Sequence, residues 1–213
     1  MEERDFQLIE TMLFNGTIEH LDLHLNRLEN SARILRFEYD ELKVKTALDV
    51  ALTGLAPGMH KVRLLLHKNG NPEITCTPLE VYDEAPLIAL SKIHTFSIDL
   101  FLHHKTTRRR LYNEELAKAR EKGFFDVIFL NESDEITEGA ITNIYSEKTG
   151  ILYTPPLECG LLDGTIRKNL ILTGKAREKI IHLDDLQQSD RIYISNSIIG
   201  IREVQKQDRI NYA

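Results

Sequence analysis

The stretch FLHHKTTRRRLYNEEL, residues 101–116, reads as a junction between an apolar strand and a helix. Lys105 stands just ahead of Arg108, Arg109 and Arg110, and cations so close together repel one another. Such a cluster calls for an anion, either neighbouring acids and solvent or a ligand. C-terminal to it, TTRRRLYNEELAKAREKGF (106–124) predicts a helix stopped by Gly123. Strands are expected in DVIFLNES (126–133), EITEGAITNIYSE (135–147) and GILYTPP (150–156). A short helix should begin within LLDGTIRKNLILTG (161–174), and residues 179–204 alternate strand, helix and strand.

N-terminal to the cluster, FQLIETMLFNGTIEHL (6–21) predicts two strands joined at Asn15-Gly16. In DLHLNRLENSARILRF (22–37), together with the leucine before it, Leu21, Leu25, Leu28, Ala32 and Leu35 recur at helical spacing, with Asp22 in the first turn. A second helix is predicted at about 40–55, and a hairpin turns around Asn69-Gly70-Asn71 in residues 60–82. Residues 83–95 contain a proline and no helical period, and are read as a connection. The expected fold class is α/β (α+β) in two domains: a small N-terminal α/β domain at 1–88 and a larger C-terminal α/β domain at 89–213. No internal repeat is visible.

Composition limits the ligand. A chain of 213 residues with 42% hydrophobic content can bury a substantial core. Its 27 Lys+Arg against 33 Asp+Glu give a net charge of −6, so the basic cluster is a local feature and a nucleic-acid partner is not expected. Cys76 and Cys159 lie far apart without metal-type spacing, which suits reduced thiols and no metal centre. The start MEERDFQLIE lacks a basic and then apolar leader, and no apolar run approaches the roughly 18 residues a membrane span needs. A soluble cytoplasmic protein is expected.

Three polar features invite chemistry. Neighbouring cations and partial burial disfavour the ammonium form of Lys105, and a neutral amine is a carbonyl nucleophile; the same lysine also suits a solvated helix cap. In EITEGAITNIY (135–145), Glu138 precedes Gly139 and Ala140, small residues that would let a flat ligand approach the backbone beside a carboxylate; a turn glutamate is the plainer reading. In CGLLDGTIRKNL (159–170), Leu162, Gly164, Thr165 and Ile166 lie where a loop becomes a helix, whose N-terminal N–H groups favour an anion. The Walker lysine is absent there, and an ordinary helix start accounts for the turn equally well.

Taken in order, ETMLFNGTIEHLDLHLNRLENSARIL, HHKTTRRRLY, EITEGAITNIY, TPPLECGLLDGTIR and ISNSIIG resemble the class IV aminotransferase family, the fold type IV pyridoxal-phosphate enzymes. The resemblance runs over nearly the whole chain. Within the family the segments are most similar to the 4-amino-4-deoxychorismate lyases, marked by HKTT-R--Y and CGLLxGT-R. The resemblance implies pyridoxal 5'-phosphate as cofactor and Lys105 as its Schiff-base lysine and proton shuttle, within the C-terminal domain. It makes Glu138 the partner of the pyridine N–H and Arg27 the phosphate arginine. The Leu162–Ile166 turn, with Gly164, Thr165 and Ile166, becomes the phosphate turn, and Ser197 a further phosphate contact. Arg63 and Arg108 are the candidates for substrate carboxylates.

The implied reaction converts 4-amino-4-deoxychorismate to 4-aminobenzoate and pyruvate in folate biosynthesis. The implied partners are a small-molecule amine, a second copy of the chain in a homodimer, and functionally an aminodeoxychorismate synthase. Two other readings use the same residues: an aminotransferase acting on D- or branched-chain amino acids, and an inactive cofactor-binding scaffold. The sequence departs from the family pattern at Arg108, usually asparagine, at Arg110, usually small, and in starting near the FQLIETM strand. Tyr112 keeps the family's place and reads as a packing residue.

Overall fold

The computed structural model describes residues 6–80, 84–205, 207 and 210–213. It divides into two compact units, Met1–Tyr82 with His104–Arg108, and Asp83–His103 with Arg109–Ala213. Lys105 thus groups with the first unit, unlike the division expected at residues 88 and 89. Val81 and Tyr82, at the end of the second predicted hairpin segment, and Asp83, at the start of the predicted connection, lie outside the described residues.

In the first unit, β1 (Leu8–Phe14), β2 (His60–Leu66) and β3 (Pro72–Pro78) form an antiparallel sheet in that order. β2 and β3 are the predicted hairpin, with Gly70 at φ 71°, a left-handed position that glycine adopts without strain. The Asn15-Gly16 hairpin does not form as expected. A single bridge, Phe14 to Ile18, closes that turn, and the chain enters a helix at Leu21, so β1 takes β2 as its partner along its full length. Helices α1 (Leu21–Leu35) and α2 (Glu41–Leu52) bury Leu25, Leu28, Ala32, Val44 and Leu48 against Leu8, Met12, Val62 and Leu64 of the sheet. Each buried leucine, valine or methionine side chain contributes roughly 1.5–3 kcal/mol. The Asp40 side chain caps α2 by accepting from the Lys43 N–H.

Among the described residues the second unit holds two sheets. β4 (Ile88–Leu90) runs parallel to β5 (Asp126–Leu130), which pairs antiparallel with β6 (Ile136–Gly139). The second sheet has the order β11-β10-β7-β8-β9, built from β7 (Asn143–Lys148), β8 (Ile151–Thr154), β9 (Ala176–Glu178), β10 (Arg191–Asn196) and β11 (Gly200–Glu203). Its α-helices among the described residues are α3 (Arg110–Glu121), α4 (Thr165–Leu172) and α5 (Leu183–Gln187). The predicted connection at 83–95 therefore contains a strand. β4 is three residues long and wholly buried, too short to show a period.

The opening stretch also differs from expectation. Residues 100–103 form a 3-10 turn rather than a strand, and α3 begins at Arg110 rather than at Thr106. The intervening backbone is extended because β1 claims it: the Ile9 N–H donates to the Lys105 carbonyl (2.8 Å), Thr107 N–H to the Gln7 carbonyl (2.9 Å), and Leu8 bridges Thr106. Among the described residues no helix is long and apolar enough to cross a membrane.

Candidate active site

In the first unit, β1 supports two of the residues singled out by sequence. Ile9 holds the Lys105 carbonyl, and the next residue, Glu10, holds Arg27 from α1. Arg27 donates from Nε to Glu10 Oε1 (2.9 Å) and from Nη2 to Oε2 (2.7 Å), a bidentate pair. His24, one helical turn earlier, places Nδ1 2.6 Å from Oε2. Burial pushes the Glu10 carboxyl up, but the charge of Arg27 and the contacts of His24 outweigh it and hold the group down at about 2. The carboxylate only accepts, so His24 carries its proton on Nδ1.

Next to Lys105, His104 is buried and pairs Nδ1 with Ser31 Oγ on α1 at 2.9 Å. Lys105 itself is half-buried, whereas Arg63, on the outward face of β2, and Arg108 are exposed. Arg109, within the same run, is built into the second unit. Its Nη2 donates to the Ala140 carbonyl (2.6 Å), its Nε to Asn113 Oδ1 (2.8 Å), and its guanidinium lies 5.9 Å from the Tyr112 ring centroid.

In the second unit, Glu138 lies near the end of β6 and is buried, and Tyr112 from α3 donates its hydroxyl to Glu138 Oε1 at 3.1 Å. Burial and the adjacent carboxylate push the Tyr112 phenol well above its ordinary value, so it stays a donor. Tyr112 also packs edge-on to Phe129 at 4.7 Å, so it is both a packing residue and a partner of the candidate carboxylate. The space beside Gly139 differs from expectation. A Cβ there would strike the Asp126 carboxylate and the Thr142 hydroxyl, so the missing side chain admits protein groups rather than a ligand.

Asp126 was not singled out by sequence, hidden at the head of the apolar run DVIFL. It is fully buried and accepts from Thr142 Oγ1 (2.6 Å), the Val127 N–H (2.8 Å) and the Ile141 N–H (3.2 Å). Burial raises its carboxyl to about 6, only partly offset by those donors and by the charge of Arg109.

The predicted anion turn starts α4 as expected. Gly164 occupies the cap position and offers no side-chain cap, and the Leu162 carbonyl accepts from the Gly164 N–H and from Asn143 Nδ2, both at 2.9 Å. Arg167, 1% exposed, braces the turn by donating to Asp163 Oδ1 (3.0 Å), the Pro155 carbonyl (2.8 Å) and Glu178. Ser197 follows β10 and is half-buried; the Asn196 side chain before it accepts from the Ile198 and Ile199 N–H groups and donates to the Ile141 carbonyl. Glu138, Leu162, Gly164, Thr165, Ile166 and Ser197 thus belong to the second unit, and Arg27, Arg63, Lys105 and Arg108 to the first. A buried carboxylate and a helix start without a side-chain cap fit a protonated ring nitrogen and a phosphate, the two polar ends of pyridoxal phosphate.

The amino-transferase class IV family model matches residues 7–206. A Schizosaccharomyces pombe protein provisionally named aminodeoxychorismate lyase is 30% identical over 92% of this chain and 87% of its own. The Bacillus subtilis aminodeoxychorismate lyase is 27% identical over 94% of this chain and 76% of its own. A crystal structure of a Mesorhizobium loti protein, provisionally named an amino-acid aminotransferase, superposes with a TM-score of 0.90 at 34% identity, covering 94% of this chain and 99% of that one.

Proposed function

The chain belongs to the class IV aminotransferase family of pyridoxal-phosphate enzymes, and we propose that it is a lyase converting 4-amino-4-deoxychorismate to 4-aminobenzoate and pyruvate. The observation that carries this reading is the likeness, over more than nine-tenths of the chain, to two relatives that bear the lyase name. The reaction would serve folate biosynthesis, downstream of an aminodeoxychorismate synthase, in a cytoplasmic homodimer.

When bound, pyridoxal phosphate supplies an electron sink for charge developing at the amine-bearing carbon of the substrate. The Lys105 amine takes the proton from that carbon. Glu138 keeps a proton on the ring nitrogen, and the Tyr112 hydroxyl holds Glu138 Oε1 in place. The N–H groups at the start of α4, with Ser197 and Arg27, hold the phosphate, and Glu10 fixes the plane of the Arg27 guanidinium. Arg63 and Arg108 are the proposed binders of substrate carboxylates. Loss of the enolpyruvyl group as pyruvate leaves an aromatic ring, so elimination runs downhill and the protein's task is positioning and proton relay.

The decisive experiment supplies freshly made aminodeoxychorismate and follows pyruvate and 4-aminobenzoate together; equal amounts of both are expected. The name of the Mesorhizobium loti neighbour favours an aminotransferase as second reading. Steady consumption of an amino acid with a keto-acid acceptor, without pyruvate release from aminodeoxychorismate, would replace the lyase by that reading. Lys105→Ala is expected to abolish turnover. Glu138→Gln should retain the cofactor but lose roughly 10²-fold in turnover, about 2.7 kcal/mol of barrier. Near-normal rates in either variant would remove that residue from the site.

A further inference from the structure

Three consecutive residues connect the parts of the second unit that carry proposed cofactor contacts. The Gly139 N–H, next to Glu138, donates to the Thr142 carbonyl at 2.7 Å. Thr142 Oγ1 and the Ile141 N–H converge on Asp126 Oδ2, while Arg109 takes the Ala140 carbonyl, so the turn after Glu138 is held from both sides. Asn143 then reaches the Leu162 carbonyl with Nδ2, and a Cβ on Gly164 would overlap its Oδ1. The Ile141 carbonyl accepts from Asn196, beside Ser197, at 3.1 Å. Thr142 and Asn143 are 4% and 5% exposed, so neither serves solvation.

We propose that Thr142 and Asn143 are positioning residues that set the Glu138 carboxylate at a fixed spacing from the Leu162–Thr165 turn, matching the span from ring nitrogen to phosphate of one cofactor. The proposal rests on the pyridoxal-phosphate reading above. It assigns the two neighbours separate duties. Thr142, through Asp126, governs the nitrogen side, and Asn143 governs the phosphate side. Gly164 has φ −63° and ψ 144°, a conformation open to any residue, so what requires glycine there is the close approach of Asn143.

The test titrates pyridoxal phosphate into the parent and variant chains and then follows the visible absorbance of the bound cofactor against pH. Asn143→Ala should weaken cofactor binding by about 10-fold or more with an unchanged pH titration, because the half-buried Leu162 carbonyl loses its side-chain donor and the turn its tie to β7. Thr142→Val should shift the pH titration in the direction of Glu138→Gln with little change in affinity, and Thr142→Ser should restore it. Gly164→Ala should weaken binding, and adding Asn143→Ala to it should cost little more, since the contact is shared. Should Asn143→Ala fail to fold, Gly164→Ala carries the phosphate-side test alone. Variants that lower only the melting temperature, keeping parental affinity and titration, would overturn the proposal, as would additive losses in the double variant. A parent chain that takes up no pyridoxal phosphate overturns the underlying reading, and the proposal with it.

Discussion

Glu10 and Asp126 are both fully buried carboxylic acids at strands, one in each unit, and their carboxyls are displaced in opposite directions. Glu10 meets an arginine and a histidine, and is held near 2. Asp126 meets a hydroxyl and two backbone N–H groups, and rises to about 6. Burial raises both; the charge of the partner decides the outcome. Neutral donors satisfy a carboxylate's hydrogen bonds without balancing its charge. The first unit therefore contains an ion cluster, and the second a cage of neutral donors, with the charge of Arg109 only a partial offset, around an acid whose pKa is raised to about 6.

The contrast breaks most directly at Glu10→Gln, which keeps size but leaves Arg27 beside a neutral group. Loss of a buried charge partner costs roughly 3–5 kcal/mol, read from urea unfolding at neutral pH. A loss below about 1 kcal/mol would mean that Arg27 does not depend on this partner. The parent's Glu10 contribution is present above its unfolded value of 4.5 and is lost as pH falls towards 2.

Asp126 has the reverse sign. Its folded pKa exceeds its unfolded value of 3.8, so the native chain binds the extra proton and stability falls as pH rises from about 4 to about 6. Asp126→Asn removes this component. The stability of the variant relative to the parent should improve by roughly 2 kcal/mol between pH 4 and pH 7, at 1.36 kcal/mol per unit. A pH-independent difference would contradict the raised pKa. The smallest effect is expected at Ser31→Ala, where a single hydrogen bond to His104 is lost: about 1 kcal/mol by the same unfolding measurement. A cost as large as that of Glu10→Gln would show that this one hydrogen bond matters as much as the ion cluster in the first unit.

Legibility in the sequence followed the range of the forces involved. The leucine stripe of α1 and the Asn69–Asn71 hairpin are local patterns with local causes, and both form where expected. The strand β4 escaped because three buried residues carry no period, and the extended backbone at Lys105 because its partners, Gln7 to Ile9, are about a hundred positions away. Nothing nearby in the chain predicts a strand pairing of that separation. In the basic run, charge alone does not single out Arg109; its contacts with Asn113 and the Ala140 carbonyl do. Asp126 and Asn143 were hidden for a related reason, since a polar residue at the end of an apolar strand reads as the start of a turn until its partners are known.

The pairing of residues 105–107 with β1 has a consequence for how the chain is made. The first unit is discontinuous, and its last piece, His104–Arg108, is translated more than twenty residues after Tyr82. Until that piece leaves the ribosome, β1 is satisfied on its β2 side only, and the Ile9 N–H and Gln7 carbonyl lack the partners they have in the finished fold. An open strand edge invites pairing with another chain. A fragment ended at residue 82 would keep that edge permanently, whereas one extended through Arg108 would carry its own cover.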